Sequence, residues 1–282
     1  MLQAAKRPIA FFDSGVGGLS ILKEVHRQLP GENLIYFADQ AHVPYGPRPV
    51  EEIRVFARGA VHFFLERSAK AIVIACNAAS AASLHHLRRF FPDVPFVGME
   101  PAVKPAAEQT RNGVIGVITT KATYQGELFA SVLDRFAANT NVVTQVCPDL
   151  VTLVEGGKLD TPEVYQAVEA YLRPLLAAGI DHLVLGCTHF PFLTPVLAAV
   201  AGPQVTIIDP SPAVARQVGR VTENVRNPSV KPGEAIYFTS RDPAAFRALA
   251  ARLLGRPVSP QCVHRVHWEN GNVVLAPCGG NK

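Results

Sequence analysis

Apolar residues along the chain gather into short β-branched or aromatic runs that alternate with longer stretches of helical period. Ile72-Val73-Ile74-Ala75 is one such run. It is too short for a helix and apolar throughout, which predicts a parallel strand covered on both faces. The run delivers Cys76, then Asn77 and Ser80, residues that cap and turn, before a helical segment from Ala81 to Phe90. His182 to Gly186 repeats the arrangement. An apolar strand delivers Cys187, Thr188 and His189 follow, and Phe192, Leu193, Val196, Leu197 and Val200 recur at helical spacing. Two thiols in one strand-to-helix setting predict two related lobes facing a single site.

The other elements fit that frame. Pro8 to Phe12 reads as a strand ending at Asp13-Ser14-Gly15-Val16-Gly17-Gly18, followed by a helix marked by Leu19, Leu22, Val25 and Leu29. The glycines fail the dinucleotide fingerprint, because Ser20 stands where its third glycine belongs, and no Gly-Lys-Ser/Thr follows for a phosphate loop. They predict a tight turn that sets Asp13 and Ser14 at the sheet's carboxyl edge. Leu34 to Phe37 is a second strand, and the Pro-rich stretch Gln40 to Pro49, with Tyr45 and Gly46, is a loop. Ile53, Phe56, Ala60, Phe63 and Phe64 form one helical stripe, and Phe96 to Met99 a short strand. Glu100-Pro101 marks a crossing to a second lobe. Strands there are expected at 113–118, 142–146 and 205–208, with a helix through Phe129, Val132 and Phe136. Thr120 and Thr123 stand at a helix start, where capping is the default role and anion binding the sharper one. Glu155 closes an apolar run, equally readable as a solvated helix end or a site acid. After Asp209-Pro210 the chain returns to the first lobe. The tail offers strands near 235–239, 263–268 and 273–276, a short helix, and a frayed end at 277–282. The expected fold is α/β, with lobes 1–99 plus 212–282 and 100–211, each a mostly parallel sheet flanked by helices.

Composition narrows the class. Hydrophobic residues make up 48% and charged residues only 18%, which suits a well-buried globule. The net charge of +4 is spread without Lys/Arg blocks, so nucleic acid is not indicated and a small anionic substrate is compatible. No apolar run is long enough for a signal core or a membrane span, and a cytoplasmic location is expected. Five cysteines, widely spaced and without Cys-x-x-Cys, predict free thiols.

Asp13, Cys76, Cys187 and His189 all fall at or just beyond strand carboxyl ends, where an open parallel sheet binds its ligands. A buried cysteine taken alone is usually a packing residue. Three joint uses remain: a zinc site, a Cys–His nucleophile, or two thiols flanking a carbon acid. The first matches no known ligand spacing. The second leaves Cys76 idle. The third employs every residue, one thiolate removing a proton and one thiol returning another, with Asp13, His189 and Glu155 beside them.

Asp13-Ser14-Gly-Val-Gly-Gly, Pro44-Tyr45-Gly46, Cys76-Asn77 and Gly186-Cys187-Thr188-His189-Phe-Pro, in this order, resemble the glutamate racemases of the aspartate/glutamate racemase superfamily. The resemblance runs from Pro8 to about Ala276. It implies a racemase with no cofactor and no metal, two α/β lobes with the site between them, and a role in supplying D-glutamate for peptidoglycan. The family often forms homodimers. The resemblance also implies that Cys76 acts on the D- and Cys187 on the L-enantiomer, assisted by Asp13 and His189, with Glu155 near the latter. Substrate contacts carry over to Asp13, Ser14, Tyr45, Gly46, Asn77, Thr120, Thr123, Thr188 and His189. Ala78 stands where the family usually has Thr, so position 78 keeps a backbone N–H but no hydroxyl. Gln40 replaces the usual Thr or Ser. An aspartate racemase of the same superfamily and a non-catalytic amino-acid-binding module are the alternatives.

Overall fold

The structure, a computed structural model, describes residues 2–276. After a short helix α1 (Leu2–Ala5) come β1 (Ile9–Asp13), α2 (Leu19–Gln28), β2 (Leu34–Ala38), α3 (Val50–Glu66), β3 (Ala71–Ile74), α4 (Asn77–Phe90) and β4 (Phe96–Gly98). The middle of the chain forms α5 (Val103–Gln109), β5 (Val114–Thr119), α6 (Lys121–Tyr124), α7 (Glu127–Phe136), β6 (Asn141–Val146) and α8 (Pro148–Glu155). Then follow α9 (Pro162–Ala177), β7 (His182–Gly186), α10 (Thr194–Ala201) and β8 (Thr206–Ile208). The last part adds α11 (Ser211–Val221), β9 (Ala235–Thr239), α12 (Pro243–Leu254), β10 (Val263–Glu269) and β11 (Asn272–Leu275).

These strands make two sheets, one ordered β11-β10-β9-β2-β1-β3-β4 and the other β6-β5-β7-β8. The strands run parallel except for the β10–β11 hairpin. The segment β2-β1-β3-β4 of the first sheet and the whole of the second follow the same winding. In each, the first strand sits inside, the second pairs on one side, and the third and fourth extend the other. An open parallel sheet wound this way has a crevice between its first and third strands, outside their carboxyl ends. Cys76 lies at that place in the first sheet and Cys187 at that place in the second.

The apolar runs become strands because both faces are covered. Successive side chains of β1 alternate between two cores: Ile9 and Phe11 join Tyr36 and Val73 on one side, Ala10 and Phe12 join Phe37 and Ile74 on the other. The first of these cores continues into the second sheet through Val16, Leu150, Val154 and Phe190, so apolar packing ties the two sheets together. The tail strands extend the first sheet, as the sequence predicts, and carry Trp268 toward the site. The frayed end expected at 277–282 lies outside the described residues.

Three boundaries differ from expectation. Helix α4 starts at Asn77 rather than Ala81, because the Cys76 sulfur itself caps it by accepting the Ala79 N–H at 3.5 Å. The helix expected through Phe192 opens instead as a 3-10 turn, Phe190–Leu193, since Pro195 would fall inside a continuous helix and is tolerated only where a new one, α10, begins. The helix after Thr120 is broken at Gly126 into α6 and α7.

Candidate active site

Strand β1 ends at Asp13, whose side chain is fully buried. Its Oδ1 accepts the Gly15 N–H at 2.8 Å, and its Oδ2 accepts the Thr188 hydroxyl at 3.1 Å from the other sheet. The turn that follows passes close to the second lobe, and its glycines make that passage possible. A Cβ on Gly15 would lie 1.9 Å from Glu155 Oε1, and one on Gly17 2.5 Å from His189 Nδ1. The Asp-Ser-Gly-Val-Gly-Gly motif is therefore more than the tight turn read from sequence: it is an inter-lobe seam. Val16 donates its backbone N–H to Glu155 Oε1 at 2.7 Å across this seam, and Ser20 donates its hydroxyl to the Thr188 carbonyl at 3.1 Å.

Beyond β7, Cys187 lies 3.6 Å from His189 Nδ1, and His189 Nε2 lies 2.7 Å from Glu155 Oε1. Glu155 Oε2 accepts the Gln40 amide at 2.9 Å, and Gln40 Oε1 accepts the Thr239 hydroxyl at 2.9 Å. The Glu155 side chain is 11% exposed, so the solvated-acid alternative gives way to a buried one. Cys76 has different neighbours. Its sulfur meets the Ser14 hydroxyl at 3.6 Å and the Ala79 N–H.

Both thiols face one cavity of about 250 Å³. Ser14, Tyr45, Gly46, Cys76, Ala78, Thr120, Cys187 and His189 lie on its wall, with Pro148, Asp149 and Thr152 contributed by α8. Asp13, Asn77, Thr123, Thr188 and Glu155 are not on that wall but touch or adjoin residues that are. Tyr45 is held by Asp39, which accepts its phenol O–H at 2.6 Å. Asp39 also takes the Ser240 hydroxyl at 2.9 Å and the Trp268 indole N–H at 2.7 Å, and sits 2.9 Å from His42 Nδ1. Gly46, next in the loop, approaches the Thr120 side chain from the opposite lobe. Thr120 Oγ1 lies 3.1 Å from Thr123 Oγ1 and accepts the Thr123 N–H, which is the expected capping geometry. The Asn77 amide is 2% exposed, and neither its oxygen nor its nitrogen has a partner among the described residues. Buried polar atoms are almost always paired, which makes this amide an exception.

The electrostatics of the two thiols differ. Burial drives Cys76 up to about 12, with the Asp13 charge adding to it against the Ala79 N–H and the Ser14 hydroxyl. Burial also lifts Asp13 above the usual carboxylate range, although the His189 charge, the Gly15 N–H and the Thr188 hydroxyl oppose it. Burial alone would strip the proton from His189. Its bonds to Cys187 and Glu155 outweigh that and hold it well above the ordinary imidazole range. Glu155 is likewise pushed up by burial, but the bonds from His189, Gln40 and Val16 prevail and keep it below the usual carboxylate range. A cation thus stands beside Cys187 and a carboxylate beside Cys76. The two sulfurs reach the same hollow with opposite charges beside them. Among the described residues no three His, Cys, Asp or Glu side chains converge as metal ligands.

Of the residues that hold the site, Asp39 has no motif to mark it, and Gln40 stands out in the sequence only as a departure from the usual Thr or Ser. Asp39 carries the same signal as Asp13, an acid at a strand's carboxyl end. The partner of Gln40 lies on α8, and no local pattern links the two.

The model of the Asp/Glu/hydantoin racemase family matches residues 16–218. The glutamate racemase of Roseiflexus sp. (strain RS-1) is 48% identical over 256 residues, covering 90% of this chain and 94% of its own. That of Pseudomonas putida (strain F1) is 50% identical over 243 residues, covering 86% and 92%. Among solved structures, a glutamate racemase from Bacillus anthracis superposes with a TM-score of 0.83 at 34% identity, covering 94% of this chain and 98% of its own. The motifs, the twin winding and these similarities agree: the chain belongs to the Asp/Glu/hydantoin racemase family.

Proposed function

We propose that the protein is a cofactor-independent racemase that interconverts L- and D-glutamate with two thiols acting on opposite faces of the α-carbon. The observation that carries this reading is the pair Cys76 and Cys187 on one 250 Å³ cavity, each delivered by the equivalent strand of a similar lobe. The halves that meet there are, among the described residues, 2–99 with 212–276, and 100–211.

In the direction from L to D, Cys187 as thiolate takes the α-proton and Cys76 as thiol gives its own to the opposite face. The carbon changes hand, and the sulfurs exchange protonation states. The substrate-free electrostatics favour that starting arrangement. His189, held protonated by Glu155, offers a positive charge to the Cys187 sulfur, while burial keeps the proton on Cys76. The reverse direction begins from the opposite state, with Asp13 beside Cys76. The planar carbanion between them is stabilised by fixed donors in a water-poor hollow. The unpaired Asn77 amide, the hydroxyls of Ser14 and Thr120, and the backbone at Gly46, Ala78 and Thr188 are the groups for the two carboxylates, the Thr188 hydroxyl being already given to Asp13. Ala78 has no hydroxyl to add.

Glutamate is favoured over aspartate by the relatives' names and by two solved neighbours. One is the Francisella tularensis glutamate racemase in complex with D-glutamate, and the other the Escherichia coli enzyme in complex with L-glutamate. The same reading places the protein in the cytoplasm, supplying D-glutamate for peptidoglycan, and as a homodimer. No helix among the described residues is long and apolar enough to cross a membrane. Incubation with L-glutamate in D2O tests the activity. D-glutamate carrying one α-deuterium is the expected product, and absence of deuterium from the α-carbon of bound glutamate would retire the reading.

A further inference from the structure

We propose that Gln40 is a positioning residue of this reaction: locked by Thr239, its amide fixes the Glu155 carboxylate against His189 and so governs the Cys187 half of the site. The proposal rests on the racemase reading and adds to it a residue that departs from the Thr or Ser usual in the family, neither of which has an amide to offer.

Gln40 is buried just beyond β2 in the first lobe, and Glu155 ends α8 in the second. The orientation of the amide is determined by its partners. A carboxylate can only accept, so the nitrogen must face Glu155. On the other side, Thr239 Oγ1 already accepts the Arg241 N–H at 3.2 Å, which leaves its own hydrogen for Gln40 Oε1. Glu155 Oε1 is occupied by Val16 and His189. Gln40 is the only donor to Oε2 among the described residues. The chain Thr239, Gln40, Glu155, His189, Cys187 therefore runs unbroken from the first sheet, across the seam, to the second thiol.

Several other charges act on Glu155. His189 and, behind it, Cys187 face it from the turn after β7, and Asp13 and Tyr36 interact with it from β1 and β2. Arg241, Asp242 and Arg265 share with Gln40 and Glu155 the wall of a second cavity of about 420 Å³. Within that setting the Gln40 bond acts in one direction. A donor to the ionised carboxylate favours the ionised form. Without it Glu155 takes up a proton at higher pH, and its pairing with protonated His189 is lost from a higher pH downward.

The test is kcat/KM for L-glutamate against pH in the wild type, Gln40→Ala, Gln40→Glu and Thr239→Val. The acid limb should move up by about one pH unit in Gln40→Ala, the equivalent of a tenfold change. It should move further in Gln40→Glu, where a second carboxylate opposes ionisation of the first, and less, in the same direction, in Thr239→Val. A plateau that falls in all three while the limb stays in place means that Gln40 only packs, and overturns the proposal. A ¹³C NMR titration of the Glu155 carboxyl in substrate-free protein reads the same shift without turnover. If the midpoint rises in the variants but the wild type does not racemise glutamate, the racemase reading fails and the Gln40 assignment stands. If the wild type racemises and the midpoint is unmoved, the assignment alone fails.

Discussion

The two sulfurs of the cleft leave the same strand position in the same winding, yet they meet different neighbours. Cys76 caps a helix, touches Ser14 and lies near a buried carboxylate, Asp13. Cys187 caps no helix, because a 3-10 turn, Phe190–Leu193, separates it from α10. It has instead a relay of His189, Glu155 and Gln40. The lobes are thus alike in winding and unlike in the charges they set beside their sulfurs, the combination that the proposed two-thiol reaction requires. Because mirror-image substrates have equal free energy, any variant lowers kcat/KM equally in both directions. The difference between the halves must be sought in exchange, labelling and pH.

Replacing either thiol has the largest expected effect. Cys76→Ala and Cys187→Ala should each lower racemisation by roughly 10²–10⁴-fold, the usual worth of a positioned acid or base. If one of them kept most of the activity, the two halves would not be partners. Next comes His189→Gln, which removes the cation from one half only. Iodoacetamide labelling of the free protein at pH 7.5 should modify Cys187, beside the His189 cation, well before Cys76, whose thiol burial keeps protonated. His189→Gln should slow labelling of Cys187 and leave Cys76 as it was. Equal rates at both sulfurs in the wild type would erase the proposed asymmetry.

Asn77→Ala should act through binding. Loss of a hydrogen bond to a carboxylate costs about 1.5–3 kcal/mol, or roughly a 10–100-fold rise in KM with a smaller change in kcat. An unchanged KM would show that the unpaired amide does not meet substrate. Cys147→Ala should have the smallest effect, leaving rates within a few-fold of the wild type. Cys147 is buried, its sulfur pointing at the Gln145 carbonyl, and it is absent from the cavity wall.

The strands and thiols were legible because their signal is local: an apolar run, then a cysteine, occurring twice. The seam was not. Gly15 and Gly17 look like turn glycines, and only the arrival of Glu155 and His189 from distant parts of the chain explains why a Cβ is excluded there. Glu155 reads equally well as a solvated helix end, since its burial is decided by Val16 and Gln40 from the other lobe. Tyr45 reads as a phenol offered to a ligand, while its O–H is committed to Asp39. Helix α9 has no place among the expected elements, although Thr161 caps it, Pro162 opens it, and Val164, Val168, Leu172 and Leu175 mark its buried stripe. That helix lies away from the motifs and carries packing rather than chemistry.

If each sulfur serves one face of the α-carbon, single-thiol variants in D2O will reveal it. Cys76→Ala, offered both enantiomers, should wash deuterium into L-glutamate alone, and Cys187→Ala into D-glutamate alone, neither forming the opposite hand. If either variant exchanged both enantiomers, or racemised them, the assignment of one sulfur to each face would be contradicted.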